Sequence, residues 1–258
     1  MTRSAIVTGS TSGIGEGIAT ALAAAGYNVM LNGFGDPTAI ATLQATLAST
    51  YNVQTAHSAA DMSQPAEIRQ MVADAVAAFG SVDVLVNNAG IQFTAPTDEF
   101  PEDKWDAIIA INMSSVFHAS KAAIPHMKAG GWGRIVNIAS VHGLVASANK
   151  VAYVTAKHGV VGMTKVMAVE TANEGITVNA ICPGWVLTPL VKQQIQARAD
   201  KNGTTFEEET DAMLGEKQPM RKFTTPEKLG ALAVFLCSDA ADTTTGASLS
   251  VDGAWSAI

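Results

Sequence analysis

Residues 4–34 read SAIVTGSTSGIGEGIATALAAAGYNVMLNGF. A short apolar strand from Ser4 to Val7 enters a glycine-rich turn. A helix beginning near Ile14 follows, and then a second strand, NVMLNGF, ending near Phe34. Strand, turn, helix, strand is the opening of a doubly wound α/β fold. The glycines Gly9, Gly13 and Gly15 are spaced G-x-x-x-G-x-G. Glycine lets a backbone come close to a pyrophosphate, and the start of a helix offers unpaired N–H groups to an anion. Thr11 and Ser12 add hydroxyl donors beside them. A dinucleotide is the ligand this context fits.

In such a fold the end of the second strand selects the cofactor. An acid near the ribose favours NAD, and a base accommodates the 2′-phosphate of NADP. Here the turn reads Asn32-Gly33-Phe34-Gly35-Asp36 with no Lys or Arg, which favours NAD. Asp36 is either the ribose ligand or the cap of the following helix, PTAIATLQATLAST, because Asp before Pro commonly starts a helix. VQTAHSAADM reads as the third strand. Asp61 at its end either contacts adenine or caps a helix beginning near Gln64. After the helix AEIRQMVADAVAAFG comes the strand VDVLVNNAG, in which Asn88, Ala89 and Gly90 form a small-residue floor for a flat ring.

A long helix is expected from about Lys104 to Lys128, with Asn112 in its interior. Asparagine is a mediocre helix former, so the position invites a specific role: holding a water, or a backbone kink beside Lys157. The strand RIVNIAS then ends in Ser140, and the helical segment YVTAKHGVVGMTKVMAVETA carries Tyr153 and Lys157 four residues apart. That spacing puts phenol and ammonium on one helix face. A free phenol has a pKa of about 10. A neighbouring cation is expected to lower it and make Tyr153 an acid/base, while Ser140 holds the oxygen of a small ketone or alcohol in reach.

The strand ITVNAICPGWVLTPL ends in Pro183-Gly184 and leads into a polar insert of about residues 190–223, read as a lid too polar to be core. A helix, TPEKLGALAVFLCS, and a strand, ASLSVDG, complete the chain. Seven apolar strands alternate with helices, which indicates one doubly wound parallel sheet over residues 1–258. With 48% hydrophobic residues and a net charge of −7, the chain can bury a sizeable core but lacks the basic patches of a nucleic-acid binder. No apolar run reads as long enough to cross a bilayer, and the N-terminus shows no apolar signal-peptide core. Cys182 and Cys237 form no CxxC pair or Cys/His metal spacing and read as reduced core thiols, with no metal expected. A cytoplasmic location is expected.

TGSTSGIG, NNAG, Asn112, Ser140, YVTAK and the Pro-Gly turn occur in the order of the short-chain dehydrogenase/reductase family, which the whole chain resembles. The resemblance implies a catalytic tetrad of Asn112, Ser140, Tyr153 and Lys157, with Lys157 binding ribose hydroxyls and Asn112 supporting a proton-relay water. It implies further contacts to NAD from Ile14, Met62, Val186 and Thr188, and a homotetramer built partly from the two long helices. EFPEDKWDAIIAIN, NIASVHGLVAS, ICPGWVLTPLV and EKQP resemble the branch that interconverts (R)-3-hydroxybutyrate and acetoacetate. By that resemblance Gln92, His142, Lys150, Trp185, Gln194 and Trp255 line the substrate pocket with Ser140 and Tyr153. A small carboxylate needs such groups, because a buried charge must be paired and hydrogen-bonded. The chain departs from the branch at Phe93, where histidine is usual, in Met220-Arg221-Lys222, which is unusually basic, and in the tail, DGAW in place of DGGW.

Overall fold

The computed structural model describes residues 2–257. The apolar runs form strands β1 (Ser4–Val7), β2 (Asn28–Asn32), β3 (Thr55–Ser58), β4 (Val84–Asn87), β5 (Gly133–Ile138), β6 (Ile176–Pro183) and β7 (Ser248–Val251). All pair in parallel in one seven-stranded sheet, ordered β3-β2-β1-β4-β5-β6-β7. The order reverses between β1 and β4, so a crevice opens at their carboxyl ends.

Helices cover both faces, which is why most strands read as unbroken apolar runs. Ala5, Val7, Val29, Leu31, Val84 and Val86 pack on Ile18 and Leu22 of α1 (Gly13–Ala24) and Leu47 of α2 (Pro37–Tyr51). Their alternates Ile6, Met30, Leu85 and Ile135 face Ile68, Met71 and Val72 of α3 (Pro65–Phe79). Burying each large side chain of this kind contributes about 1.5–3 kcal/mol. Strand β2 stops two residues short of the expected end. The Asn32 carboxamide donates to the carbonyls of Ser58 (3.1 Å) and Ala60 (3.0 Å) and accepts the Gly9 N–H (3.1 Å), which draws the chain off the ladder.

The expected single helix over residues 104–128 is three pieces: α4 (Glu102–Ile109), a π-helical turn (Ala110–Ser114) and α5 (Ser115–Gly130). A π turn inserts one residue into the ladder, and Asn112 sits in its middle. The continuous run Glu102–Gly130 also corrects the membrane expectation. By length and composition it can cross a bilayer, with 29 residues and a mean hydropathy of 1.3 over its best window. In this fold one side of the run packs into the core, with Ile108, Val116, Ala119, Ala123 and Met127 buried.

Helix α6 (Val151–Thr171) precedes β6, and α9 (Pro226–Leu236) precedes β7. Between β6 and α9 the insert folds as α7 (Pro189–Asn202) and α8 (Phe206–Gly215). It is more buried than expected: Ile195, Ala199, Met213, Leu214 and the polar Gln218 are all buried.

Candidate active site

The glycine turn and the end of β4 are tied together. Thr8 Oγ1 accepts the N–H groups of Asn88 (2.9 Å) and Ala89 (3.0 Å), and Asn88 Nδ2 donates to the Thr8 (2.9 Å) and Gly9 (3.0 Å) carbonyls. Gly9 takes φ +62°, and a Cβ there would lie 2.9 Å from Ala89 Cα. A Cβ on Gly15 would lie 2.3 Å from the Gly9 carbonyl oxygen. Ser12 is the first residue outside α1 and makes no side-chain cap bond, which leaves its hydroxyl and the first helical N–H groups available to an anion. Thr188 faces Gly13 from the β6 side: a Cβ on that glycine would meet its Cγ2 at 3.6 Å. This cradle fits a pyrophosphate.

Several expected cofactor residues are otherwise engaged. Thr11 donates its hydroxyl to the Phe34 carbonyl (2.9 Å), and Thr188 accepts the Val191 N–H as the cap of α7 (3.3 Å). Asp36 caps α2 by accepting the Ala39 N–H (2.8 Å). Asp61 does not cap α3, which begins after Gln64; it accepts the Ser63 N–H (2.8 Å). The Met62 side chain lies in the core with Ile68 and Met71. Ile14 packs partly buried on the core under the turn. At the other rim, Pro183 and Val186 are buried, Gly184 abuts Asp252, and Val186 bridges Thr224. Gly90 lies against the Asn112 carboxamide, which a Cβ on that glycine would meet at 3.5 Å.

The tetrad residues converge at the carboxyl ends of β4 and β5. Ser140 is not the last residue of the strand. It lies two residues beyond β5, capping a short 3-10 turn (Val141–Gly143), where its Oγ accepts the His142 N–H (3.1 Å). Tyr153 and Lys157 share one face of α6, with Lys157 Nζ 5.6 Å from the centre of the Tyr153 ring. Nζ donates to the Ile138 carbonyl (2.7 Å) and is almost fully buried. Asn112 accepts the Ile91 N–H and donates to the Ile91 carbonyl, both at 2.8 Å. Its carboxamide therefore clamps the segment after Gly90 from the middle of the π turn.

The electrostatics correct one expectation. Burial pushes the Tyr153 phenol above its ordinary value, with the Ser140 hydroxyl pulling the other way; the Lys157 cation does not bring it down. Burial also lowers Lys157, to about 8. His142 is lowered to about 4, by burial first and then by the charges of Lys150, Lys217 and His158, so it is neutral at pH 7.

Beside Tyr153 runs a chain of rings. His142 is edge-on to Tyr153 (5.9 Å) and to Trp255 (5.3 Å), and Trp255 lies 6.2 Å from Trp185. Lys150 Nζ stands 5.9 Å from the Trp185 ring and is lowered by burial. His142 Nε2 shares a 2.9 Å hydrogen bond with Ser147 Oγ. The structure thus gathers Ser140, His142, Lys150, Tyr153, Trp185 and Trp255. Gln92 and Gln194 are exposed and make no side-chain hydrogen bond among the described residues, so the expected pair of amide donors is not assembled with them. Phe93 packs edge-on against Phe100 at 5.7 Å. Sequence reasoning missed Gln218 and Asp252, both buried and bonded to backbone N–H groups at or beside Trp185 and Trp255. The only trace of Gln218 was its place in the EKQP motif.

The family profile described as enoyl-(acyl carrier protein) reductase matches residues 9–256. D-beta-hydroxybutyrate dehydrogenase of Cupriavidus necator is 56% identical over 98% of this chain and 97% of that protein. The protein of the same name from Rhizobium meliloti is 51% identical over the full length of both. Among solved structures, a variant of actinorhodin polyketide ketoreductase with NADPH superposes with a TM-score of 0.90 at 34% identity, covering 100% of this chain and 98% of that one. The chain belongs to the short-chain dehydrogenase/reductase family. It is an oxidoreductase that transfers hydride between a nicotinamide dinucleotide and a small carbonyl or hydroxyl compound.

Proposed function

We propose that this enzyme interconverts (R)-3-hydroxybutyrate and acetoacetate with NAD. The observation that carries the reading is the cluster beside Tyr153: a neutral imidazole, His142, between Tyr153 and Trp255, and one half-buried ammonium, Lys150, near the Trp185 member of the indole pair. Such a pocket takes one negative charge and a short carbon chain. The similarity to two D-beta-hydroxybutyrate dehydrogenases supports it. The absence of Lys or Arg between Asn32 and Asp36 supports NAD over NADP.

A bound NAD would supply the acceptor for the hydride that leaves C3 of the hydroxy acid. Tyr153 takes the hydroxyl proton once it is deprotonated, a form that burial disfavours and the Ser140 hydroxyl favours, and Ser140 donates a hydrogen bond to the substrate oxygen. In reduction Tyr153 returns the proton to the forming alkoxide. Lys157 would bind ribose hydroxyls of the cofactor, and the Asn112 clamp holds the loop after Gly90. The remaining cofactor contacts come from Gly9 to Gly15, Asn88 to Gly90, and Pro183 to Thr188. Lys150 pairs with the carboxylate, and Trp185 and Trp255 enclose the methyl end. Gln92 and Gln194 stand free at the rim and the lid, and reach the carboxylate when the lid closes. The free, buried thiols of Cys182 and Cys237 suit a cytoplasmic setting, and we assign the assembly as a homotetramer.

The test is NADH formation with the separate enantiomers of 3-hydroxybutyrate, with NADP+ as the control cofactor. The R form with NAD+ should react and the S form should not; equal rates would sink the reading. A reductase of 3-oxoacyl thioesters, the chemistry nearest the family profile's description, has no carboxylate for Lys150 to meet. Lys150→Ala should therefore lower kcat/KM for (R)-3-hydroxybutyrate by about 10- to 100-fold, the effect of losing one charge-assisted hydrogen bond. An unchanged kcat/KM would favour the thioester.

A further inference from the structure

The geometry points to Gln218 as a positioning residue that limits the length of substrate chain the pocket accepts; this rests on the hydroxy-acid reading above. Gln218 lies on the return from α8 and is 2% exposed, although it belongs to the polar insert. Its Oε1 accepts the backbone N–H of Trp185 (3.3 Å), its Nε2 donates to the Lys222 carbonyl, and its own N–H reaches the Leu214 carbonyl (2.8 Å). The side chain is wedged between two strand exits. A Cβ on Gly184, after β6, would lie 2.8 Å from its Oε1, and a Cβ on Gly253, after β7, 2.6 Å from its Cγ. The indoles stand just beyond these exits: Trp185 is the next residue after Gly184, and Trp255 follows Gly253 by two.

One buried carboxamide therefore spaces the backbones from which both indoles project. The second support is Asp252, which accepts the N–H groups of Ala254 (3.1 Å) and Ser256 (2.9 Å) and holds the turn around Trp255. Neither side chain belongs to the chain of rings, so Gln218 acts through Trp185 and not on the substrate. An added carbon on the substrate must push an indole outward, and Gln218 resists that movement.

The experiment compares the wild type with Gln218→Met, which keeps the volume and loses the polar bonds. KM for (R)-3-hydroxybutyrate should rise about tenfold, the worth of one hydrogen bond, with KM for NAD+ and kcat changed less than about twofold. The kcat/KM ratio of (R)-3-hydroxypentanoate to (R)-3-hydroxybutyrate should rise about fivefold as the wall loosens. A parallel loss with both substrates, or an equal rise in KM for NAD+, overturns the inference. Amide exchange gives a readout independent of substrate. The Trp185 N–H, bonded to Gln218 in the wild type, should lose protection in the variant, and retained protection also overturns the inference. If the wild type turns over neither hydroxy acid, the functional reading fails, while the exchange result still decides whether Gln218 holds the wall. Should Gln218→Met not fold, Gln218→Asn, which keeps the amide but shortens its reach, must show the same KM split and the same loss at Trp185.

Discussion

Ala254 takes φ +71°, a conformation that glycine adopts freely and that costs an alanine roughly 1–2 kcal/mol. This accounts for the glycine usual at that place in the related DGGW tails. Ala254→Gly should raise stability by about 0.5–1 kcal/mol once the extra freedom glycine gives the unfolded chain is subtracted. Denaturant midpoints measure it, and a destabilised variant would refute the strain. His142 makes the opposite kind of statement. Its pKa falls from 6.5 to about 4 in the folded protein, so the unfolded chain binds the proton more readily. Its contribution is fully present above pH 6.5 and is lost as pH falls toward 4. The loss totals roughly 3 kcal/mol. His142→Gln should flatten stability across that window, and a slope equal to that of the wild type would place the charge elsewhere. At this scale the sequence displayed residue types and not environments. Tyr153 and Lys157 were legible by their spacing, but the burial that raises the phenol and lowers the amine belongs to the folded structure and not to that spacing.

Apolar periodicity was enough to count the elements, because a strand buried on both faces reads as a continuous apolar run. Breaks inside an element were harder to see. The turn at Ala110–Ser114 carries no Pro or Gly, and only Asn112 hinted at it. Its function follows from two bonds to one residue: Ile91 is held through both its N–H and its carbonyl, which fixes the loop after Gly90 against the cofactor crevice. Asn112→Ala removes both bonds from Ile91, an exposed residue whose N–H and carbonyl can turn to water, so the loss is about 0.5–1.5 kcal/mol for each bond. Turnover should fall at least tenfold while the chain still folds, since the helix itself persists on either side. Hydrogen exchange at Ile91 should rise in the same variant. Normal turnover with a freely exchanging Ile91 would show that the loop needs no clamp. The insert was legible as helical and polar, but its buried underside was not. Ile195, Ala199, Met213 and Leu214 are too sparse among charged neighbours to show a stripe.

The surface of the whole molecule bears on its assembly. Val166 and Val169 lie three residues apart on α6, 57% and 80% exposed, so they present one outward face. On α5 Phe117 is 49% exposed, with Lys121 Nζ 5.7 Å from its ring. Single exposed apolar residues are ordinary, whereas several on the flanks of two long helices suit contact with another copy. In a two-fold interface the same patch meets itself, so a change in one chain counts twice. A Val169→Asp chain must bring two carboxylates out of water, at on the order of 3 kcal/mol for each. If the two long helices build the tetramer, the wild type should sediment near four times 26.7 kDa. The variant should sediment as a smaller species at micromolar concentration. A variant that sediments with the wild type would move the interface to other helices, and a monomeric wild type would remove the need for one.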